Sequence, residues 1–145
     1  MSTMQSVLAG KGDKRVHWIS PEATVLEAVG AMCTLHVGAL VVGDRSHAVG
    51  MLSERDVLTR VLLGKRDASG TLVGAVMTKS VVCIGLEREA QDAMTLMTER
   101  RVRHLPVVEH KAIVGIVSIG DLVRWMSEGQ EYELRSLREY VTGCG

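Results

Sequence analysis

The chain has 145 residues, three cysteines and 17 basic against 17 acidic side chains, for a formal net charge of zero. That length holds one ordinary domain or two small, mutually dependent units. With 46% hydrophobic residues, only 3% aromatic and no Phe, the core has to be aliphatic. A neutral chain without aromatic platforms argues against general nucleic-acid binding.

At the N-terminus, Met1–Gly10 has neither the basic start nor the apolar run of a signal peptide, and no later segment is long enough to span a membrane. Cys33, Cys83 and Cys144 are far apart, with no C-x-x-C, which suits reduced thiols in a cytoplasmic protein. A short strand is predicted at Val16–Ile19. Thr24 then caps a helix over Val25–Thr34, with Glu27 completing a capping box. Its apolar positions Leu26, Val29 and Cys33 fall at helical spacing. The runs Ala39–Val42 and Val49–Leu52, joined by the polar Gly43–His47, form a hairpin. A second helix starts near Glu54. Residues 64–78 carry Gly64, Gly70 and Gly74 and read as a linker, with one helical turn near Val73–Met77.

The same order then recurs. Sliding the sequence by about 65 residues lays Val16–Asp56 on Val81–Asp121 without a gap, with roughly a dozen identities against about three by chance. They include Val16/Val81, Ala28/Ala93, Met32/Met97, Leu40/Leu105, Gly50/Gly115, Ser53/Ser118 and Asp56/Asp121. The second copy has a strand at Val81–Ile84, a helix over Ala90–Glu99 with Ala90, Met94 and Met97 at helical spacing, and a hairpin of Leu105–Val108 with Ile113–Val117. A helix then starts near Ile119. The predicted fold class is α+β, two β-α-β-β-α repeats with sheets packed on helices. The first repeat takes residues 7–64, a linker 65–76 and the second repeat 77–126. A tail of 127–145 is expected to form a terminal helix over Ser127–Val141.

The polar residues kept in both copies are the informative ones. Ser53-Glu54-Arg55-Asp56 and Ser118-Ile119-Gly120-Asp121 each end a strand in Ser and place Asp in the first helical turn. At the least, such a pair caps a helix. A hydroxyl and free amides at a helix start also suit a phosphate, and a carboxylate one turn on suits ribose hydroxyls. Arg55 faces Gly120 across the repeat, so the two sites differ, and the first suits a more highly charged ligand. Arg103 and His104 lead into a strand expected to pair beside Ser118, where an arginine suits phosphate oxygens. Thr78 and Lys79 offer a hydroxyl and a charge just before the second repeat. The five histidines have no metal-binding spacing, and no G-x-S-x-G, G-x-G-x-x-G or Walker loop is present. No catalytic or metal-ligating set is assigned, and the chain reads as a non-enzyme.

In order along the chain, Lys11-Gly12, Pro21–Val25, Gly38–Val42, Ser53–Asp56, Met77-Thr78, Arg103–Val107 and Ser118–Asp121 resemble a tandem pair of cystathionine-beta-synthase-type (CBS) domains, a Bateman module. The likeness runs over about residues 7–126 and is nearest the stand-alone bacterial type. It implies adenosine ligands (AMP, ADP, ATP or NAD(H), with S-adenosylmethionine as a further choice) in clefts between the repeats. By the same resemblance Asp56 and Asp121 hold ribose hydroxyls, and Ser53 and Ser118 contact phosphate with Arg55, Lys11, Thr78 and Arg103. The backbone around Gly38, Ala39, Arg103, His104, Leu105 and Pro106 flanks the adenine. A homodimer and an unidentified regulated protein are the implied partners. Two positions depart from the pattern: Val57 stands where relatives often carry an aromatic residue, and Glu89 stands opposite Thr24. The alternative expectation is a structural dimerisation module with vestigial clefts.

Overall fold

A computed structural model describes residues 2–128; Cys144 and most of the expected terminal helix lie outside the described residues. In chain order the elements are α1 (Met4–Ala9), β1 (Trp18–Ile19), α2 (Val25–Leu35), β2 (Ala39–Asp44), β3 (His47–Ser53) and α3 (Glu54–Asp56). α3 runs on into a π-helical stretch, Val57–Leu62. Then come α4 (Val73–Val76), β4 (Ile84–Gly85), α5 (Ala90–Arg100), β5 (His104–Glu109), β6 (Ala112–Ser118) and α6 (Ile119–Glu128). The α+β repeat read from the sequence is therefore present twice.

Each copy builds a three-stranded sheet, ordered β1-β2-β3 and β4-β5-β6. β1 runs parallel to β2, and β2 pairs antiparallel with β3; β4, β5 and β6 repeat this. The match extends to irregular features. Both hairpins shift register at the same place, between Val42 and Gly43 and between Val107 and Val108. Both long helices end on a left-handed residue, His36 at φ 56° and Arg101 at φ 55°.

The core is aliphatic, as the composition requires. Val25, Ala28 and Met32 form the buried face of α2 and pack with Leu40, Val42, Leu52, Val61, Val73 and Val76. In α5 the buried face is Ala90, Ala93 and Met97. The predicted stripe of α2 was one position out, whereas in α5 Ala90 and Met97 are buried as expected and only Met94 gives way to Ala93. Leu26 is 54% exposed and Cys33 is exposed, while Ala28 and Met32, which carry the identities between repeats, are inside. Two adjacent stripes of α2 are apolar, and periodicity alone does not choose between them.

The compact units of the chain do not coincide with the sequence repeats. Residues Arg15–Val82 form one compact unit, and the second unit joins the chain on either side of it. The segment 65–76, read as a linker, is part of the first unit's core: Val73 and Val76 are 0% and 2% exposed. The segment before Arg15, of which residues 7–14 were read with the first repeat, belongs to the second unit, with Met4 and Val7 at 0% and 2%.

The two arms are placed alike. Val73 N donates to Ala23 O and Gly74 N to Pro21 O, while Val25 N donates to Thr71 O. In the other unit Met4 N donates to Arg88 O and Gln5 N to Leu86 O, while Ala90 N donates to Ser2 O. Each arm thus satisfies backbone groups at the start of a long helix and plugs its unit with one Val and one larger or equal apolar residue. The sequence preceding each repeat completes the other one.

This arrangement accounts for the shared glycines. A Cβ on Gly50 would lie 2.7 Å from the Thr78 carbonyl oxygen, and one on Gly115 would lie 2.8 Å from the methyl carbons of Leu8. At Gly50 the backbone of the incoming arm crosses the strand too closely for a side chain, while at Gly115 the neighbour is the movable end of the Leu8 side chain.

Candidate functional site

The Ser-x-x-Asp pairs sit where β3 passes into α3 and where β6 passes into α6. Both are reciprocal capping boxes. Ser53 Oγ accepts from the Asp56 amide at 3.2 Å, and Asp56 Oδ2 accepts from the Ser53 amide at 3.0 Å. In the other unit, Ser118 Oγ accepts from the Asp121 amide at 3.1 Å, and Asp121 Oδ2 accepts from the Ser118 amide at 2.8 Å. The strand ends are fixed by matching backbone bonds: Glu54 N donates to Gly38 O and Ile119 N to Arg103 O, both at 2.9 Å. Those bonds set Gly38 and Arg103 beside the helix starts, with Ala39 opposite Ser53 and His104 opposite Ser118.

Beyond the shared box the two carboxylates are held differently. Asp56, the one buried charged residue among those described, accepts the Ser53 hydroxyl at 3.1 Å on Oδ2 and the Thr78 hydroxyl at 3.0 Å on Oδ1. Thr78 is positioned by a backbone bridge, its amide donating to Met51 O at 2.8 Å and its carbonyl accepting from Met51 N at 2.9 Å. In the other unit the side chain of Lys11 takes over this role. Its Nζ lies 3.0 Å from Asp121 Oδ2 and donates to Ile116 O at 2.6 Å. Ile116 is the repeat counterpart of Met51. Where one unit uses a neutral hydroxyl and a backbone N–H, the other uses a single ammonium.

Electrostatics follow the same division. Burial pushes the Asp121 carboxyl up, but the Ser118 amide and the Lys11 ammonium outweigh it and hold the group below its ordinary value. One helical turn on, Arg60 Nε stands 3.8 Å from Asp56 and Arg124 Nη1 stands 3.7 Å from Asp121. Arg60 also donates through Nη1 to the carbonyls of Val76 and Met77, at 3.1 and 2.9 Å, closing the end of α4. The counterpart of Arg60 is Trp125, whose ring lies against Gly10 at the end of α1. Lys11, Asp121, Arg124 and Trp125 line one small recess with Val7 and Glu128.

The residues singled out from the sequence therefore divide into two sets. Gly38, Ala39, Ser53, Arg55, Asp56 and Thr78 lie in the first unit; Lys11, Arg103, His104, Leu105, Pro106, Ser118 and Asp121 lie in the second. Arg55 is on the exposed side of α3, and Leu105 is wholly buried in the core. Lys11 was expected with the first repeat and stands instead on Asp121. The contrast of Arg55 with Gly120 gave the first site the extra positive charge, whereas the ammonium in contact with a site carboxylate is in the second. Arg60 and Arg124 were not picked out. Their spacing of four and three residues after an Asp was the available signal, since such pairs face each other on a helix. Among the described residues no group of His, Cys, Asp and Glu is arranged to hold a metal, and no helix is long and apolar enough to cross a membrane.

With this geometry in place, comparison with known proteins identifies the class. The CBS domain model matches twice, over residues 13–63 and 73–128. The chain belongs to the CBS domain family. It is 36% identical over 150 residues to the mitochondrial CBS domain-containing protein CBSX3 of Arabidopsis thaliana, covering 98% of this chain and 73% of that one. A solved CBS-domain containing protein from Agrobacterium tumefaciens is 32% identical with a TM-score of 0.79, covering 85% of this chain and 92% of that one. CBSX2, solved in complex with AMP, is 27% identical with a TM-score of 0.72, covering 88% of this chain and 98% of that one.

Proposed function

We propose that this CBS pair is a non-catalytic regulatory module that binds adenine nucleotides, with Asp56 and Asp121 each receiving the hydroxyls of one ribose. The observation that carries this reading is the matched pair of capping-box carboxylates, at the same position of both repeats, in a fold shared with a relative that binds AMP. A carboxylate offers about four lone-pair directions. Asp121 Oδ2 takes the Ser118 amide and Lys11, while among the described residues Oδ1 faces Arg124 at 3.7 Å. On Asp56 the neutral hydroxyls of Ser53 and Thr78 can rotate to make way for a ligand hydroxyl. AMP is the preferred ligand on this reading; ADP, ATP, NAD(H) and S-adenosylmethionine carry the same ribose. Phosphate falls to the cations and hydroxyls nearby, Lys11 and Arg103 in one unit, Arg55 and Thr78 in the other. The main-chain edges at Gly38–Ala39 and Arg103–Pro106 flank the base.

The module acts as a cytoplasmic homodimer that passes a ligand-dependent change of shape to a regulated protein. Leu58, Leu62 and Leu63, 55%, 69% and 77% exposed, are the apolar surface that a second copy would cover.

Calorimetry of the whole chain against AMP, ADP, ATP, NADH and S-adenosylmethionine tests the reading. Binding of at least one, halved in stoichiometry by Asp121→Ala, is the expected result. Absence of binding by all five at millimolar concentration overturns it and leaves a dimerisation module. Turnover of ATP or NADH above a heat-inactivated control overturns the non-catalytic part.

A further inference from the structure

The two oxygens of Asp56 have separate tasks. Oδ2 closes the capping box, taking the amide and the hydroxyl of Ser53. Oδ1 takes the Thr78 hydroxyl at 3.0 Å and faces Arg60 Nε at 3.8 Å, and Arg60 gives its Nη1 to the carbonyls of Val76 and Met77. Both ties run from one carboxylate oxygen to the strap of residues 76–78, on which the chain leaves α4. A few residues on, at Cys83, it enters the second unit. Asp121 is held otherwise. Its Oδ2 takes both the Ser118 amide and Lys11, and its Oδ1 faces Arg124 of its own helix at 3.7 Å. Building on the reading of both carboxylates as ribose acceptors, we propose that the Asp56 half is the signalling one. A ribose hydroxyl on its Oδ1 loosens the strap that carries the chain out of the first unit, while occupation of the Asp121 half stays local.

The reasoning turns on competition for one acceptor. A carboxylate oxygen has about two lone-pair directions, and at Oδ1 of Asp56 both already face donors tied to the strap. A ribose hydroxyl delivered there displaces Thr78 and takes up charge that otherwise holds the guanidinium of Arg60. The strap feels both losses. Arg60 grips the end of α4 through two carbonyls, at 3.1 and 2.9 Å, and that grip is only as firm as the carboxylate that fixes the guanidinium. The mutual backbone bonds of Thr78 and Met51 remain, at 2.8 and 2.9 Å. Beyond them Lys79 and Ser80 are exposed, so movement at Thr78 passes along the chain instead of being absorbed by packing. At the other carboxylate, a hydroxyl on Oδ1 meets Arg124, a 63%-exposed side chain three residues along the same helix. Lys11 keeps its place on Oδ2 and on the Ile116 carbonyl, so the N-terminal arm is not disturbed.

The test is hydrogen exchange read by mass spectrometry on the whole chain, with AMP as the probe and calorimetry on the same samples to record binding. In Asp121→Asn, where AMP meets the Asp56 half alone, exchange from Thr78 to Val82 is expected to rise by about tenfold, the worth of one lost hydrogen bond. In Asp56→Asn, AMP at the other half is expected to leave these residues unchanged. Adding Arg60→Met to Asp121→Asn cuts one tie beforehand. Strap exchange is then expected to be raised without AMP, and AMP to add about threefold or less. Thr78→Val takes its place if circular dichroism shows the Arg60 variant unfolded. AMP bound at the Asp56 half with strap exchange unchanged or slowed overturns the proposal and leaves the ribose reading standing. An equal rise in Asp56→Asn, or a full response after either tie is cut, overturns it likewise. If AMP binds neither single-site variant, the ribose reading fails and this proposal fails with it.

Discussion

Lys11 Nζ and Asp121 Oδ2 stand 3.0 Å apart, joining an arm that precedes the first repeat to the capping box of the second. The contact crosses more than a hundred residues of sequence, and the Lys11 bond to the Ile116 carbonyl doubles it. It couples the N-terminal arm to the start of α6 by charge as well as by packing.

This coupling makes stability sensitive to acid. The Asp121 carboxyl is held below its ordinary value of 3.8, so the folded state binds that proton less readily than the unfolded chain does. The stabilisation is complete above roughly pH 5 and is lost as the pH falls through the depressed folded value. Urea midpoints at pH 7 and pH 3 should fall further for the native sequence than for Asp121→Asn. Equal falls would show that other carboxylates set the acid limb.

The arm should matter to the second unit as a core element does. Met4 is wholly buried, and its amide is bonded to the Arg88 carbonyl at 2.8 Å. Met4→Ala is expected to cost about 2–5 kcal/mol in chemical denaturation. Hydrogen exchange should rise in α5 and β5 before it rises in α2 and β2. Uniform protection in the variant would contradict the placement of the arm.

The two crossing glycines give a graded comparison. At Gly50 an added methyl meets backbone, the Thr78 carbonyl oxygen at 2.7 Å; at Gly115 it meets the movable end of the Leu8 side chain at 2.8 Å. Gly50→Ala should therefore cost about 1–3 kcal/mol and Gly115→Ala under about 1 kcal/mol. Thermal melts of the two variants side by side decide it, and a reversed order would be inconsistent with the crossings described.

The exposed leucines test the homodimer. Leu58→Glu combined with Leu62→Glu places charge on side chains that are already 55% and 69% exposed, so folding should be kept while the particle mass by light scattering falls to that of one chain. A mass unchanged by both substitutions would mean that a second copy docks elsewhere or not at all.

The repeat, the element order and the Ser-x-x-Asp pairs are all legible in the sequence, because they rest on local patterns. Apolar periodicity, turn residues and a gapless internal alignment each act over a few residues or a fixed offset. Thr24 shows the reach of that reasoning, since its hydroxyl does accept from the Glu27 amide at 3.1 Å. Reciprocal boxes, however, close at Ser53–Asp56, Glu89–Asp92 and Ser118–Asp121. The buried stripe of α2 was less legible, for both Leu26 and Ala28 lie on apolar faces and only packing selects one.

Tertiary structure alone decided which arm serves which repeat. Met4 matches Val73 in burial and hydrogen bonding, and Val7 matches Val76 in burial, but these pairs lie four residues off the spacing that aligns the repeats. Nearness in sequence assigns each arm to the repeat that follows it. The chain does the opposite, because backbone groups at the start of α2 and α5 and an open end of each core are met by the arm that leads into the other copy. That exchange moves Lys11 from the first site to the second. The sequence by itself determined that two similar carboxylate sites exist; only the exchange of arms decided that one is held by a hydroxyl and the other by an ammonium.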